Sequence, residues 1–185
     1  MQEKIKASVM DAAKMRRVVQ RLVTEILERN RNLKNLVIVG VRTRGVYLAK
    51  RIAKMIHAME EVDVPVGVMD ITRYRDDFTE IKTKNEVQKT HIPFRVIKKD
   101  VLLVDDVLFT GRTIRAAMEG LFDLGRARSI QLLVFIDRGH RELPIRADYI
   151  GKLLPTSRRE LVQVHLKELD GRDEVLITEP VDLIK

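Results

Sequence analysis

Two adjacent carboxylates, Asp105 and Asp106, stand between an apolar run and a loop of small hydrogen-bonding residues, and that order describes a chemistry. Residues 101–104 are all apolar and read as a buried parallel strand. Behind the acids, Val107, Leu108 and Phe109 lead into Thr110-Gly111-Arg112-Thr113. Ile114, Ala117, Met118, Leu121 and Leu124 then recur at helical spacing. The first turn of a helix has free N–H groups and the positive end of the helix dipole, so it attracts an anion. Gly111 lets the backbone approach that anion closely, Thr110 and Thr113 offer hydroxyls, and Arg112 offers a cation. A phosphate cradle alone does not want carboxylates beside it. A ligand with a phosphate at one end and a sugar diol at the other does, because carboxylates accept hydrogen bonds from ribose hydroxyls and hold Mg2+ directly or through its waters. The stretch reads as a ribose 5-phosphate site.

Two further loops suit the same ligand. Gly40-Val41-Arg42-Thr43-Arg44-Gly45 follows a short apolar strand and offers backbone N–H groups, the Thr43 hydroxyl and the Arg44 guanidinium, with Gly45 at the turn into a helix. Such groups stabilise charge on a departing pyrophosphate. Asp137-Arg138-Gly139-His140-Arg141 ends another apolar strand. The polar segment 72–90 is long for a connector, which favours a lid; its Arg73, Tyr74, Arg75, Lys82 and Lys84 suit a polyphosphate, and Arg75 is the leading candidate for a catalytic contact.

The elements that must position these loops follow from periodicity. Helices are expected over 11–30, from 46 to 56, and from 114 to 124 with Gly125 closing the last. Strands are expected at 36–39, 64–71, 101–104 and 130–136, with short ones at 148–150, 161–166 and 174–177 and a turn at Asp170-Gly171. Strands alternating with helices predict an α/β fold: a central, mostly parallel sheet flanked by helices. Ligands in such sheets bind beyond the carboxyl ends of the strands, where the three loops converge.

The 185 residues suit one domain, residues 1–185, with no linker or repeat dividing it. There is no Cys, which excludes disulfides and thiolate metal sites. No signal-like apolar core and no 18-residue apolar run occurs, so no membrane role and a cytoplasmic location are expected. The formal net charge of +8 leaves room for a polyanionic substrate and for a nucleic-acid surface.

VLLVDDVLFTGRT resembles the phosphoribosyl pyrophosphate (PRPP) motif of type I phosphoribosyltransferases. DITRYRDD and DRGHRELPIRAD extend the resemblance, from about residue 11 to 177, to a subgroup that both makes UMP and regulates pyrimidine genes. The resemblance implies that phosphoribose passes from PRPP to uracil with Mg2+ carried mainly by PRPP near Asp105 and Asp106, and with no direct protein metal ligand named. It implies that 107–113, Thr43, Arg44, Gly45, Asp137 and Arg138 bind substrate, under a small hood contributed mainly by 137–185. It implies a homo-oligomer, dimer or larger, that answers to UMP or UTP and binds pyrimidine operon leader mRNA, through Arg17, Gln20, Arg21, Thr24, Arg29, Arg141, Arg146 and Lys152. Related purine enzymes carry an acid where this chain has Phe109, which argues against a purine and leaves no general base named. A dedicated nucleobase salvage enzyme without RNA function is the alternative.

Overall fold

The computed structural model describes residues 3–74 and 90–180. Strands β2 (Leu36–Val41), β3 (Val66–Met69), β4 (Asp100–Leu108), β5 (Ser129–Asp137) and β6 (Tyr149–Leu153) form a five-stranded sheet in the order β3-β2-β4-β5-β6. Every pairing in it is parallel. The expected α/β architecture is therefore present. Its central strands are apolar on both faces because helices cover both. Leu102 and Val104 of β4 pack with Leu22, Ile26, Leu48 and Ile52, from helices α1 (Ala12–Arg29) and α2 (Arg44–Glu60). Val101 and Leu103 face the other way, into a second core with Ile114, Ala117 and Leu121 of α3 (Arg112–Asp123).

The residues at the helix starts fix where α1, α2 and α3 begin. Asp11 caps α1, its carboxylate accepting from Lys14 N at 2.7 Å. Gly45 sits where α2 crosses β4: a Cβ there would lie 2.4 Å from the Val104 carbonyl oxygen and 3.2 Å from Asp105 Cα. Only a glycine lets the first turn of α2 lie directly on the strand that carries the acids. At the head of α3, Gly111 adopts φ +94°, a left-handed conformation that other residues rarely hold.

A second, antiparallel sheet of three strands, β1-β8-β7, combines β1 (Glu3–Met10), β7 (Leu161–His165) and β8 (Glu174–Pro180). The hood expectation needs two changes here. Its sheet borrows β1 from the N-terminus, and β6, from within 137–185, belongs to the main sheet. Residues 3–10 give little sign of a strand because six of the eight are exposed and the sequence does not alternate cleanly; pairing with β8 makes them one. The turn expected at Asp170-Gly171 is the end of a short helix, α4 (Lys167–Asp170), which Gly171 stops at φ +72°. Arg51 of α2 anchors this region, bonding Glu168 Oε1 at 2.8 Å and Asp173 Oδ1 at 2.6 Å.

Candidate active site and basic face

Because β2, β4 and β5 are parallel and adjacent, their carboxyl ends bring residues 40–45, 105–113 and 137–141 to one edge, with Asp105 and Asp106 inside β4, which runs on to Leu108 past the end expected at 104. The convergence expected from the sequence is present. Asp105 is 4% exposed and its Oδ1 accepts from Asp106 N at 3.0 Å. Burial pushes the Asp106 carboxyl above the ordinary Asp range, opposed chiefly by the Arg44 guanidinium. Thr43 is exposed at the mouth of the edge, while Arg44 also reaches sideways: its Nε donates to the Val164 carbonyl at 2.6 Å and its Nη2 to Asp170 at 3.0 Å. Arg44 thus ties the start of α2 to β7 and α4. Arg75, Lys82 and Lys84 lie outside the described residues.

A cavity of about 350 Å³ is lined by Val107, Leu108, Phe109, Thr110, Gly111, Arg112, Thr113 and Ile114, with Glu142 at its rim. The first turn of α3 opens into it, as an anion site requires. A strap of residues 139–145 lies against this loop. Glu142 N and Leu143 N both donate to the Thr110 carbonyl, at 2.9 and 3.2 Å. A Cβ on Gly111 would meet Leu143 and Ile145 at 3.4 Å.

Beside the phosphate cavity, at the end of β5, a second one of about 340 Å³ is walled by Asp137, Arg138, Gly139, His140, Leu153, Leu154, Pro155 and Thr156. Its leucines and proline suit the faces of a flat base, and its backbone polar groups suit a base's edge. Phe109 lines the first cavity and packs its ring against this wall. The Arg138 guanidinium lies 4.1 Å from the Phe109 ring centre, and the His140 ring meets it edge-on at 5.9 Å. Arg138 is buried, and burial lowers its guanidinium from the ordinary arginine value. Its Nε donates to Thr156 Oγ1 at 3.0 Å and its Nη2 to the Ser157 carbonyl at 2.8 Å. His140 holds the same loop through the Thr156 carbonyl at 2.5 Å. The Asp137 carboxylate turns inward, taking Gly139 N at 3.0 Å and the Arg141 guanidinium. Asp137 and Arg138 therefore build the pocket with their side chains and line it with the chain they hold.

No three His, Cys, Asp or Glu side chains converge as a metal cage among the described residues. Two neighbouring carboxylates suit Mg2+, which keeps several waters and takes other oxygens from a phosphorylated substrate.

The basic residues divide sharply. Helix α1 packs along β6, the edge strand, which brings α1's polar face beside Lys152. Arg17, Gln20 and Thr24 are exposed there, and so is Arg146 at the end of the strap. Arg21 is exposed too but already engaged: Nη2 donates to the carbonyls of Ile150 and Gly151 at 3.0 and 2.6 Å, and Nη1 pairs with Glu25. Arg29 pairs with Asp148 at 2.8 Å and stacks on Tyr149. Arg141 is not on this face. Its guanidinium donates to the carbonyls of Ile145 at 3.1 Å and Phe109 at 2.9 Å, besides Asp137. The structure makes it a knot between phosphate loop and strap, where the sequence grouped it with the RNA residues. The sequence assigns Glu142 and Thr156 only to stretches that resemble the hood; their individual contacts escape it, because they meet their partners across 16 to 32 residues of chain.

The phosphoribosyl transferase domain model matches residues 7–169. A protein of Deinococcus radiodurans named Bifunctional protein PyrR is 51% identical over 178 residues, covering 96% of this chain and 97% of that one. Its namesake from Thermus aquaticus is 54% identical over 176 residues, covering 95% and 97%. This chain belongs to the PyrR family of phosphoribosyltransferases. The fold of PyrR is shared more widely. A hypoxanthine phosphoribosyltransferase from Staphylococcus aureus superposes with a TM-score of 0.71 at 20% identity, covering 97% of this chain and 96% of that one. A ternary substrate complex of the Trypanosoma cruzi enzyme gives 0.74 at 15% identity, covering 95% and 96%.

Proposed function

We propose that this chain is a UMP-responsive mRNA-binding regulator of pyrimidine biosynthesis genes that also converts uracil and PRPP to UMP and pyrophosphate. The observation that carries the catalytic half is the pair of cavities side by side at the ends of β4 and β5, one with a phosphate cradle and one with an apolar, base-sized wall. The regulatory half is supported by the relatives' name, which calls them bifunctional, and by the exposed Arg17, Gln20, Thr24 and Arg146 beside Lys152.

The chemistry follows from the groups at the edge. Breaking the bond between ribose and pyrophosphate leaves positive charge on the sugar and negative charge on the leaving group. Residues 110–113 hold the 5-phosphate, Asp105 and Asp106 take the ribose hydroxyls and face the positive charge, and Thr43 and Arg44 take the pyrophosphate. Arg75 is assigned to the same anion. Asp105 and Asp106 would hold Mg2+ together with PRPP, and the ion would supply charge neutralisation for the leaving group. Phe109 has no proton to exchange with a purine ring nitrogen, which argues against a purine; uracil is the base that membership of this family supports. RNA loops present splayed bases and phosphates, and in this reading Arg17, Arg146 and Lys152 take the phosphates. With so few aromatics, 4% of the chain, extended base stacking is not part of this surface.

The internal engagement of Arg21 and Arg29 favours a second reading, a salvage enzyme whose basic face binds no RNA. One experiment separates them: titration of a pyrimidine operon leader RNA on filters, with and without UMP, at several salt concentrations, beside a uracil transferase assay. Tight binding strengthened by UMP, in protein that also makes UMP, establishes the dual reading. Turnover without specific RNA binding leaves the salvage enzyme.

A further inference from the structure

The phosphate cavity contains a carboxylate of its own. Glu142 lines it beside the loop 107–114, and its Oε2 accepts from Arg112 Nε at 2.8 Å. Its other oxygen lies 4.0 Å from Arg158. The acid does not hang there by its side chain alone: Glu142 N and Leu143 N are both bonded to the Thr110 carbonyl, so the strap delivers the carboxylate to a fixed place. This is an odd residue for an anion pocket. A carboxylate and a phosphate compete for the same guanidinium, since both accept from its planar fork. Both partners of the ion pair are about a third or more exposed, so the pair is weak enough to exchange.

We infer that Glu142 occupies Arg112 as a resident substitute for the ligand's 5-phosphate and must give the arginine up when a phosphorylated ligand binds. The inference rests on the reading of 107–114 as the seat of a 5-phosphate. Glu142 then sets how tightly phosphate monoesters are held. By competing for Arg112 and repelling the incoming dianion, it weakens PRPP and UMP alike and speeds the departure of UMP. It is a positioning residue that acts through Arg112, and its effect belongs to ligands that carry a phosphate.

That restriction supplies the test. Glu142→Gln keeps the length of the side chain and both backbone bonds to Thr110. Binding of UMP and of uridine is measured by calorimetry on the wild-type protein, on Glu142→Gln, on Arg112→Met and on the double variant, together with steady-state kinetics for PRPP. The expected result is UMP binding about fivefold tighter in Glu142→Gln, the factor given by loss of one exposed ion pair, with uridine unchanged. KM for PRPP falls while kcat does not rise, because UMP leaves more slowly. In the Arg112→Met background the same substitution changes UMP binding little, since the group competed for is gone. UMP binding that is unchanged or weaker in Glu142→Gln overturns the assignment and makes Glu142 a strut for Arg112. A gain that persists without Arg112, or that extends to uridine, overturns it as well. Wild-type protein that binds no UMP overturns the proposed function and this inference together.

Discussion

The ribosyl edge and the basic face of this protein are assembled by opposite means. The edge is local. Nine consecutive residues, 105–113, carry the acids, the phosphate loop and the head of α3, and their neighbours arrive because parallel strands must end together. The basic face is composite. It joins one side of α1 to the outer strand β6 and the end of the strap, and two of its arginines are spent holding those pieces together. Charge at a local motif reads directly as chemistry. Charge on a composite surface first serves packing, and only what is left over is available to a partner.

The sharpest way to break this contrast is to remove charge from the edge. Asp106→Asn keeps the shape and is expected to lower kcat about 10²- to 10³-fold, the usual cost of losing one preorganised electrostatic group. RNA binding without nucleotide should not change. Stability should move the other way. Burial raises the Asp106 pKa, so the folded state holds the proton more tightly than the unfolded chain. The charged carboxylate therefore costs stability, beginning as pH rises past the ordinary Asp value and reaching its full size above the raised one. The melting temperature of Asp106→Asn should exceed that of the wild type at neutral pH, and the gap should close in acid. Equal melting temperatures at both pH values would remove the burial argument.

Next in size is a change of shape alone. Gly45→Ala sets a methyl group 2.4 Å from the Val104 carbonyl oxygen and close to Asp105. Overpacking of this kind costs about 3 kcal/mol in stability. Because the displaced backbone carries the acid, kcat/KM for PRPP should fall too. Denaturant unfolding reads the first effect. A variant as stable as the wild type would mean that α2 can lift off β4 without loss.

Arg141 lies where the two regions meet. The strap it ties down begins at the base pocket, crosses the phosphate loop and ends at exposed Arg146. Arg141→Gln leaves the Asp137 carboxylate, only 8% exposed, without its guanidinium. Losing a partner of this kind costs about 2 kcal/mol or more. If the strap joins edge and face, transferase kcat/KM and RNA affinity should both drop, each by about tenfold. Loss of RNA affinity alone would return Arg141 to the basic face.

How much of this was legible in the sequence follows the same division. The strand-acid-acid-loop-helix order of 101–124 fixes its own geometry, because each step is dictated by neighbours in the chain. The parallel sheet follows from alternating apolar runs and helices. Strand β1 was not legible, since its partner, β8, lies more than 160 residues away and its own residues are mostly exposed. Nor could spacing reveal that Arg44 reaches Val164 and Asp170, that Arg21 reaches β6, or that Phe109 stacks on Arg138. Helical periodicity shows which side of α1 is polar. It does not show which of those polar side chains another strand will claim.

The smallest expected effect tests that last point most directly. Exposed Arg17 and half-buried Lys152 are the candidates to meet phosphate, whereas Arg21, though exposed, already donates to two β6 carbonyls and pairs with Glu25. If a side chain contacts an RNA phosphate, replacing it with Gln should reduce the slope of log affinity against log salt by about 0.7 and weaken binding severalfold at low salt. Arg17→Gln and Lys152→Gln should each do so. Arg21→Gln should weaken RNA binding by only about threefold, the effect of one lost internal bond between α1 and β6, and should leave the salt slope unchanged. Transferase turnover should be untouched, since no group of Arg21 faces the edge. A slope reduced in Arg21→Gln as much as in Arg17→Gln would mean that Arg21 leaves its carbonyls when RNA binds, and the two β6 bonds would then be a resting place for the side chain.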